Sequence, residues 1–195
     1  MAEGVGGEQT RYEAWLSCVR RNEPKRLLAS VERMRSILEA IAPSPRGFEP
    51  YGRLPLFRSD EGEVMLAGWH AGERCAPHDH GSARGLVVVV QGTFTETAYR
   101  FDGRFLLGGS PKPRIPGDVL EVAPGTIHDL EATSDGITLH VYSPAIEEMR
   151  VFDAVTRTTL VVADGCGAWI PEDSSLVVAR HPWSESRRPP EVGPS

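Results

Sequence analysis

Disulfide chemistry is the first thing this sequence lacks. Its 195 residues hold three cysteines, Cys18, Cys75 and Cys166, an odd number with no C-x-x-C pair. Neither a disulfide framework nor a thiolate zinc site is expected, and a reducing cytoplasm is the expected setting. Each cysteine reads as a small buried hydrophobe. Positive charge is also short, 21 Lys and Arg against 27 Asp and Glu, for a net −6. That disfavours a nucleic-acid partner, which needs a basic face. Long apolar runs are missing too. The longest, Gly85 to Val90, is far below the roughly 20 residues of a membrane helix, so no membrane partner is expected. The opening "MAEGVGGEQT" has neither the basic nor the apolar region of a secretion signal.

What the chain has in plenty is glycine (20) and proline (16), which favours turns and short strands over a helical bundle. Its length suits one domain. Residues 1–9 are rich in Gly and Glu and are expected to be loose. A helical segment follows over 10–45. Tyr12, Trp15, Leu16 and Val19 share one helix face. A second helix starts at Pro24, carries Leu27, Leu28, Val31, Met34, Ile37, Leu38 and Ile41 at three- and four-residue steps, and ends at Pro43 and Pro45. From about Tyr51 the period changes to short runs bounded by Gly, Pro and Asp: "EVMLAGWH", "GLVVVVQGTFTETAYRF", "DVLEVAPG", "ITLHVYSP" and "MRVFDAV". Many close strands predict an all-β sandwich or barrel over 46–183. One more strand or edge hairpin is expected in "GCGAWIPEDSSLVVARHPW", and a loose tail over 184–195.

Six histidines are present, and the case for chemistry rests on their grouping. His78-Asp79-His80 places two imidazoles at i and i+2, on one side of an extended backbone, able to converge on one metal ion. Asp79 should point away. His128, in "PGTIH", can complete a three-imidazole face where distant strands meet. Thr138, His140 and Tyr142 share one face of a strand, and Leu139 and Val141 share the other. His70 and His181 belong to no motif and read as structural or surface residues.

Gly72, His78, His80 and Gly92 resemble the first cupin motif, and "PGTIH" a shortened second one. Gly85 stands where that motif usually carries Glu, and Ala132 stands near its customary Asn. Three histidines without the glutamate resemble the thiol dioxygenases, and within them the cysteine dioxygenases. "YGR" (Tyr51 to Arg53) is similar to their Tyr-x-Arg. Trp69, nine residues before His78, sits as their tryptophan does, and "TLHVYSP" is similar to their Ser-x-His-x-Tyr-Ser-Pro, with Thr138 for Ser. The resemblance spans roughly residues 45 to 155.

It implies a cupin-type β-barrel or jelly roll with N-terminal α-helices. It also implies Fe(II) on His78, His80 and His128, and oxidation of L-cysteine by O2 to cysteine sulfinate. A neutral three-histidine face leaves divalent iron its full charge, which favours a thiolate substrate. Three protein ligands leave open positions, which bring thiol and dioxygen together. Arg53 is the expected carboxylate clamp, Tyr51 helps to position that carboxylate, and Trp69 is a wall of the site. Thr138, His140 and Tyr142 form a hydrogen-bonded chain able to orient the phenol and pass a proton. Gly85 also falls where mammalian-type members carry a cysteine that cross-links to the tyrosine matching Tyr142. The resemblance is therefore to the bacterial type, with a free phenol. A small thiol and O2 are the expected partners of a monomer or weak homo-oligomer.

Three rival readings remain open. The substrate is another thiol carboxylate, either 3-mercaptopropionate or else mercaptosuccinate, whose second carboxylate Arg84 or Arg150 would serve. The site holds zinc or nickel and performs isomerisation or hydrolysis. Or the barrel binds a small ligand without catalysis.

Overall fold

The computed structural model describes residues 3–47 and 49–184. Three helices come first: α1 (Glu3–Arg21), α2 (Pro24–Glu32) and α3 (Arg35–Ile41). Thirteen strands follow: β1 (Gly52–Ser59), β2 (Gly62–Trp69), β3 (His78–Asp79), β4 (Arg84–Gln91), β5 (Phe94–Phe101), β6 (Leu106–Gly108), β7 (Lys112–Arg114), β8 (Val119–Val122), β9 (Ile127–Ala132), β10 (Gly136–Ser143), β11 (Met149–Asp153), β12 (Thr158–Val162) and β13 (Val177–Pro182). The mainly β architecture with N-terminal helices expected from the sequence is borne out. One sheet runs β1-β2-β10-β4-β8. The other runs β13-β12-β11-β3-β9-β5-β6, with β7 also paired to β5. All recorded strand pairs are antiparallel.

The first sheet is buried on both faces, which explains why β4 reads "GLVVVV" without alternation. Leu86, Val88, Val90, Leu139 and Val141 pack outward against Trp15, Leu16, Val19, Leu27 and Leu38 of the helices. Val87, Val89, Ala67, Trp69 and Tyr142 face the barrel interior. The indole of Trp15 donates to Ser30 Oγ at 2.8 Å, tying α1 to α2.

Two expectations need correction. Residues 3–9 are helical, because α1 begins at Glu3. Once Trp15, Leu16 and Val19 anchor a helix, extending it backward costs little compared with nucleating it. The second helix is two helices, broken at Arg33–Met34. Met34 N–H turns back to the Val31 carbonyl at 2.8 Å. The following turn places Arg35 where it pairs with Glu32 and donates to the Val90 carbonyl at the end of β4. Ile37 and Ile41, expected on the apolar face, are exposed, and Leu38 alone of that turn is buried. The last expected strand is β13, an edge strand on β12. The expected loose tail lies, from residue 185 on, outside the described residues.

Candidate metal centre

Sheet register brings distant residues together. His78 of β3 lies directly opposite His128 of β9. His80 follows β3 by one residue and turns to the same side. Ring centroids are 4.7 Å apart for His78 and His80, 4.9 Å for His78 and His128, and 5.4 Å for His80 and His128. One ligand nitrogen from each lies within 4.8 Å of the others, and all three residues are buried. Asp79 points the other way, into a two-pronged ion pair with Arg150 at 3.0 and 2.5 Å.

Burial pushes His78 and His80 well below the usual histidine range, and the neighbouring imidazoles add to the shift. Neutral imidazoles offer lone pairs, as a metal requires. His128 Nε2 and His80 Nδ1 are buried without a hydrogen-bond partner among the described residues. A buried polar nitrogen left unpaired is costly, and a cation satisfies a cluster of such atoms. The donor set therefore fits a divalent transition metal. Behind the ligands, His78 Nδ1 lies 2.9 Å from the Ala76 carbonyl, and His128 Nδ1 lies 3.1 Å from Glu96 Oε1. Burial raises the Glu96 carboxyl, but hydrogen bonds from His128 and Arg114 outweigh it and hold it below the usual carboxylate range.

The expected chain on β10 is present and longer than the sequence reading had it. Trp69 Nε1 donates to Thr138 Oγ1 at 2.9 Å. Thr138 Oγ1 is 2.8 Å from His140 Nε2, His140 Nδ1 is 3.2 Å from the Tyr142 hydroxyl, and that hydroxyl is 3.0 Å from His80 Nε2. An indole nitrogen only donates. Thr138 accepts that hydrogen and keeps its own to give to His140 Nε2; with that bond made, the His140 proton sits on Nδ1, directed at the tyrosine oxygen. Burial brings His140 down to about 3, keeping it neutral, and pushes Tyr142 well above its ordinary value, keeping it protonated.

Tyr51, Arg53, Trp69, the three clustered histidines, His140 and Tyr142 line one cavity of about 30 Å³. Thr138 lies behind it. Arg53 Nη1 donates to the carbonyls of Cys166, Gly165 and Asp164 at 2.7, 3.3 and 3.5 Å, and its Nε faces Met65 Sδ at 3.3 Å. Tyr51 stacks on Trp69 at 4.4 Å, meets Trp169 edge-on at 5.3 Å, and accepts a hydrogen bond from Ala168 N–H at 2.8 Å. Arg84 is exposed and Arg150 is held by Asp79, and neither lines the cavity. These two do not supply a second carboxylate site there. His70 and His181 lie at the surface, as expected.

Three contributors escaped the sequence reading. Cys75 lines the cavity and takes the Leu130 N–H at 3.1 Å, and burial pushes its thiol up to about 12. The strap 163–169 acts through backbone carbonyls, which no side-chain pattern reveals. Glu96 did leave a signal, a carboxylate between Phe94 and Ala98 on one strand face.

Residues 49–108 match the family model described as cysteine dioxygenase type I. That stretch carries Tyr51, Arg53, Trp69, His78, His80 and Gly85, and ends before His128 and the β10 chain. Over 145 residues the chain is 26% identical to cysteine dioxygenase type 1 of Danio rerio, covering 65% of this chain and 72% of that one. Among solved structures, it is similar to an uncharacterised protein with a double-stranded β-helix domain from Klebsiella pneumoniae. That match has a TM-score of 0.49 at 16% identity, over 58% of this chain and 87% of the other. An RmlC-like cupin from Shewanella frigidimarina matches with a TM-score of 0.44 at 22% identity, over 53% and 84%.

Proposed function

We propose that the protein is an iron-dependent thiol dioxygenase that converts a small thiol carboxylate, L-cysteine first, to its sulfinate. Atoms and electrons balance within the two substrates: RS⁻ and O2 give RSO2⁻. Two S–O bonds form, the O–O bond breaks, and sulfur supplies all four electrons, so no 2-oxoglutarate or external reductant is needed. The observation that carries this reading is a single cavity holding a neutral three-imidazole face, a hydrogen-bonded phenol and a guanidinium.

His78, His80 and His128 would hold the iron, whose chemistry when bound is to favour the thiolate and couple it to dioxygen. The histidines add no negative charge of their own, so the site is completed by an anionic substrate. Arg53 binds the carboxylate. With Nη1 tied to the strap, its Nη2 carries no hydrogen bond among the described residues and is free for a charge-assisted bond. Tyr142, oriented by His140, holds a proton beside His80 and presents it to the reacting atoms. Met65, Leu130, Ile146 and Met149 give the cavity an apolar lining that excludes water.

The test is a thiol panel on the iron-loaded full chain, with oxygen uptake and product masses measured. Cysteine, 3-mercaptopropionate, mercaptosuccinate and cysteamine make up the panel. Cysteine sulfinate formed with one O2 consumed per turnover is the expected result. Sulfinate from a different thiol alone would move the substrate. Bound zinc and no uptake with any thiol would overturn the dioxygenase. Arg53→Ala should raise KM for cysteine about 10- to 100-fold, the size of a lost hydrogen bond to a charged group, with iron content unchanged.

A further inference from the structure

Among the described residues, Glu96 is the one carboxylate in contact with the three-histidine face. Its placement follows from register. On β5, Ala98 lies opposite His128, and Glu96 lies two residues along the same strand face, diagonal to the histidine. Its two oxygens have different partners. Oε1 is 3.1 Å from His128 Nδ1, and Oε2 takes Arg114 Nε at 3.0 Å and Nη2 at 2.5 Å. Arg114 comes from β7, opposite Phe94 of β5. Its side chain is 25% exposed and that of Glu96 13%, so the pair is partly withdrawn from water.

A carboxylate accepts, so His128 carries its proton on Nδ1. Nε2 is then left with a lone pair, and it is one of two buried histidine nitrogens without a partner among the described residues. The three imidazoles are thus unequal. His128 is backed by an ionised acceptor, His78 by the neutral Ala76 carbonyl, and His80 meets only the neutral Tyr142 hydroxyl, through Nε2.

We propose that Glu96, held by Arg114, is a positioning residue that sets the metal affinity of the three-histidine face through His128. It fixes the tautomer and ring orientation of His128 and strengthens its donor nitrogen. The face then recovers, one hydrogen bond behind a ligand, part of the negative charge that Gly85 withholds from direct contact. This inference rests on the reading of the three histidines as a metal site.

Metal affinity of the full chain tests it without recourse to activity. The chain is stripped with a chelator and titrated with cobalt(II) against a chromophoric competitor, and the visible bands of the bound ion are recorded. Glu96→Gln keeps the shape and removes the charge. Its cobalt affinity is expected to fall on the order of 10- to 100-fold, with a shift of the visible bands. Glu96→Asp, which restores the charge on a shorter arm, should recover part of the loss. A folded Glu96→Gln chain binding within twofold of wild type, with unchanged bands, would overturn the proposal. If circular dichroism shows that Glu96→Gln does not fold, Arg114→Gln decides: a smaller loss of affinity supports the proposal, and wild-type affinity overturns it. A wild-type chain that takes up no cobalt overturns the metal reading itself, and this inference with it.

Discussion

At position 85 the backbone of β4 runs opposite Tyr142 of β10, and a side chain there would drive its first carbon into the tyrosine ring at Cδ1 and Cε1. The absence of a side chain is therefore a requirement of the phenol's position as well as the loss of a potential ligand. Gly85→Ala should push the ring off its hydrogen bonds to His140 and His80 while leaving His78 and His128, which do not touch it, in place. We expect turnover to fall about 100-fold or more, the scale of a lost proton-transfer group, with metal content unchanged. Steady-state kinetics beside metal analysis checks this, and wild-type turnover would refute it. With no sulfur at 85, Tyr142 should also remain a free phenol. An intact mass two hydrogens below the sequence mass, mapped to Tyr142, would contradict that. The alternation of Thr138, His140 and Tyr142 was legible from residue order alone. The meaning of Gly85 was not, because a missing side chain carries no pattern of its own and needed the comparison with a motif.

Among the elements, the strap between β12 and β13 shows why part of the site escaped sequence reading. Its residues 164–166 hold Arg53 by backbone carbonyls, Ala168 holds Tyr51 by its N–H, and Trp169 packs against the Tyr51 ring. Backbone donors and acceptors are the same at every residue, so only the fold could assign this segment. The helix break at Arg33–Met34 was hidden likewise, since a kinked helix and a straight one share the same apolar period. Trp169→Ala should loosen the strap and misplace the guanidinium. On the reading of Arg53 as the carboxylate clamp, KM for cysteine should rise several-fold, while cysteamine, which lacks the carboxylate, should be turned over as before. An equal loss for both thiols would indicate general damage to the barrel and contradict the assignment.

For the whole molecule, the buried histidines dictate how stability responds to acid. His140 sits near 3 in the folded chain against an ordinary 6.5, because burial penalises its charged form. Between those values the unfolded chain binds more protons than the folded one, so stability rises with pH across that window. The contribution is complete above about pH 6.5 and is lost as pH falls toward 3. His78 and His80 shift in the same direction and steepen the slope. Melting temperatures of the metal-free protein should therefore drop steadily between pH 7 and pH 5, less so in His140→Gln. A flat profile would contradict the burial of these groups as neutral imidazoles.

The sheet that supports both the helices and the cavity also bears on what kinds of genetic change this protein can survive. Along β10, odd-numbered Leu139 and Val141 serve the helices and even-numbered Thr138, His140 and Tyr142 serve the cavity. Point substitutions at any of these affect one face at a time. Loss of a single codon inside the strand would exchange the two faces at once beyond the deletion, setting polar groups among the helices and aliphatic ones beside the histidines. The length of β10, more than its composition, is the quantity that cannot drift.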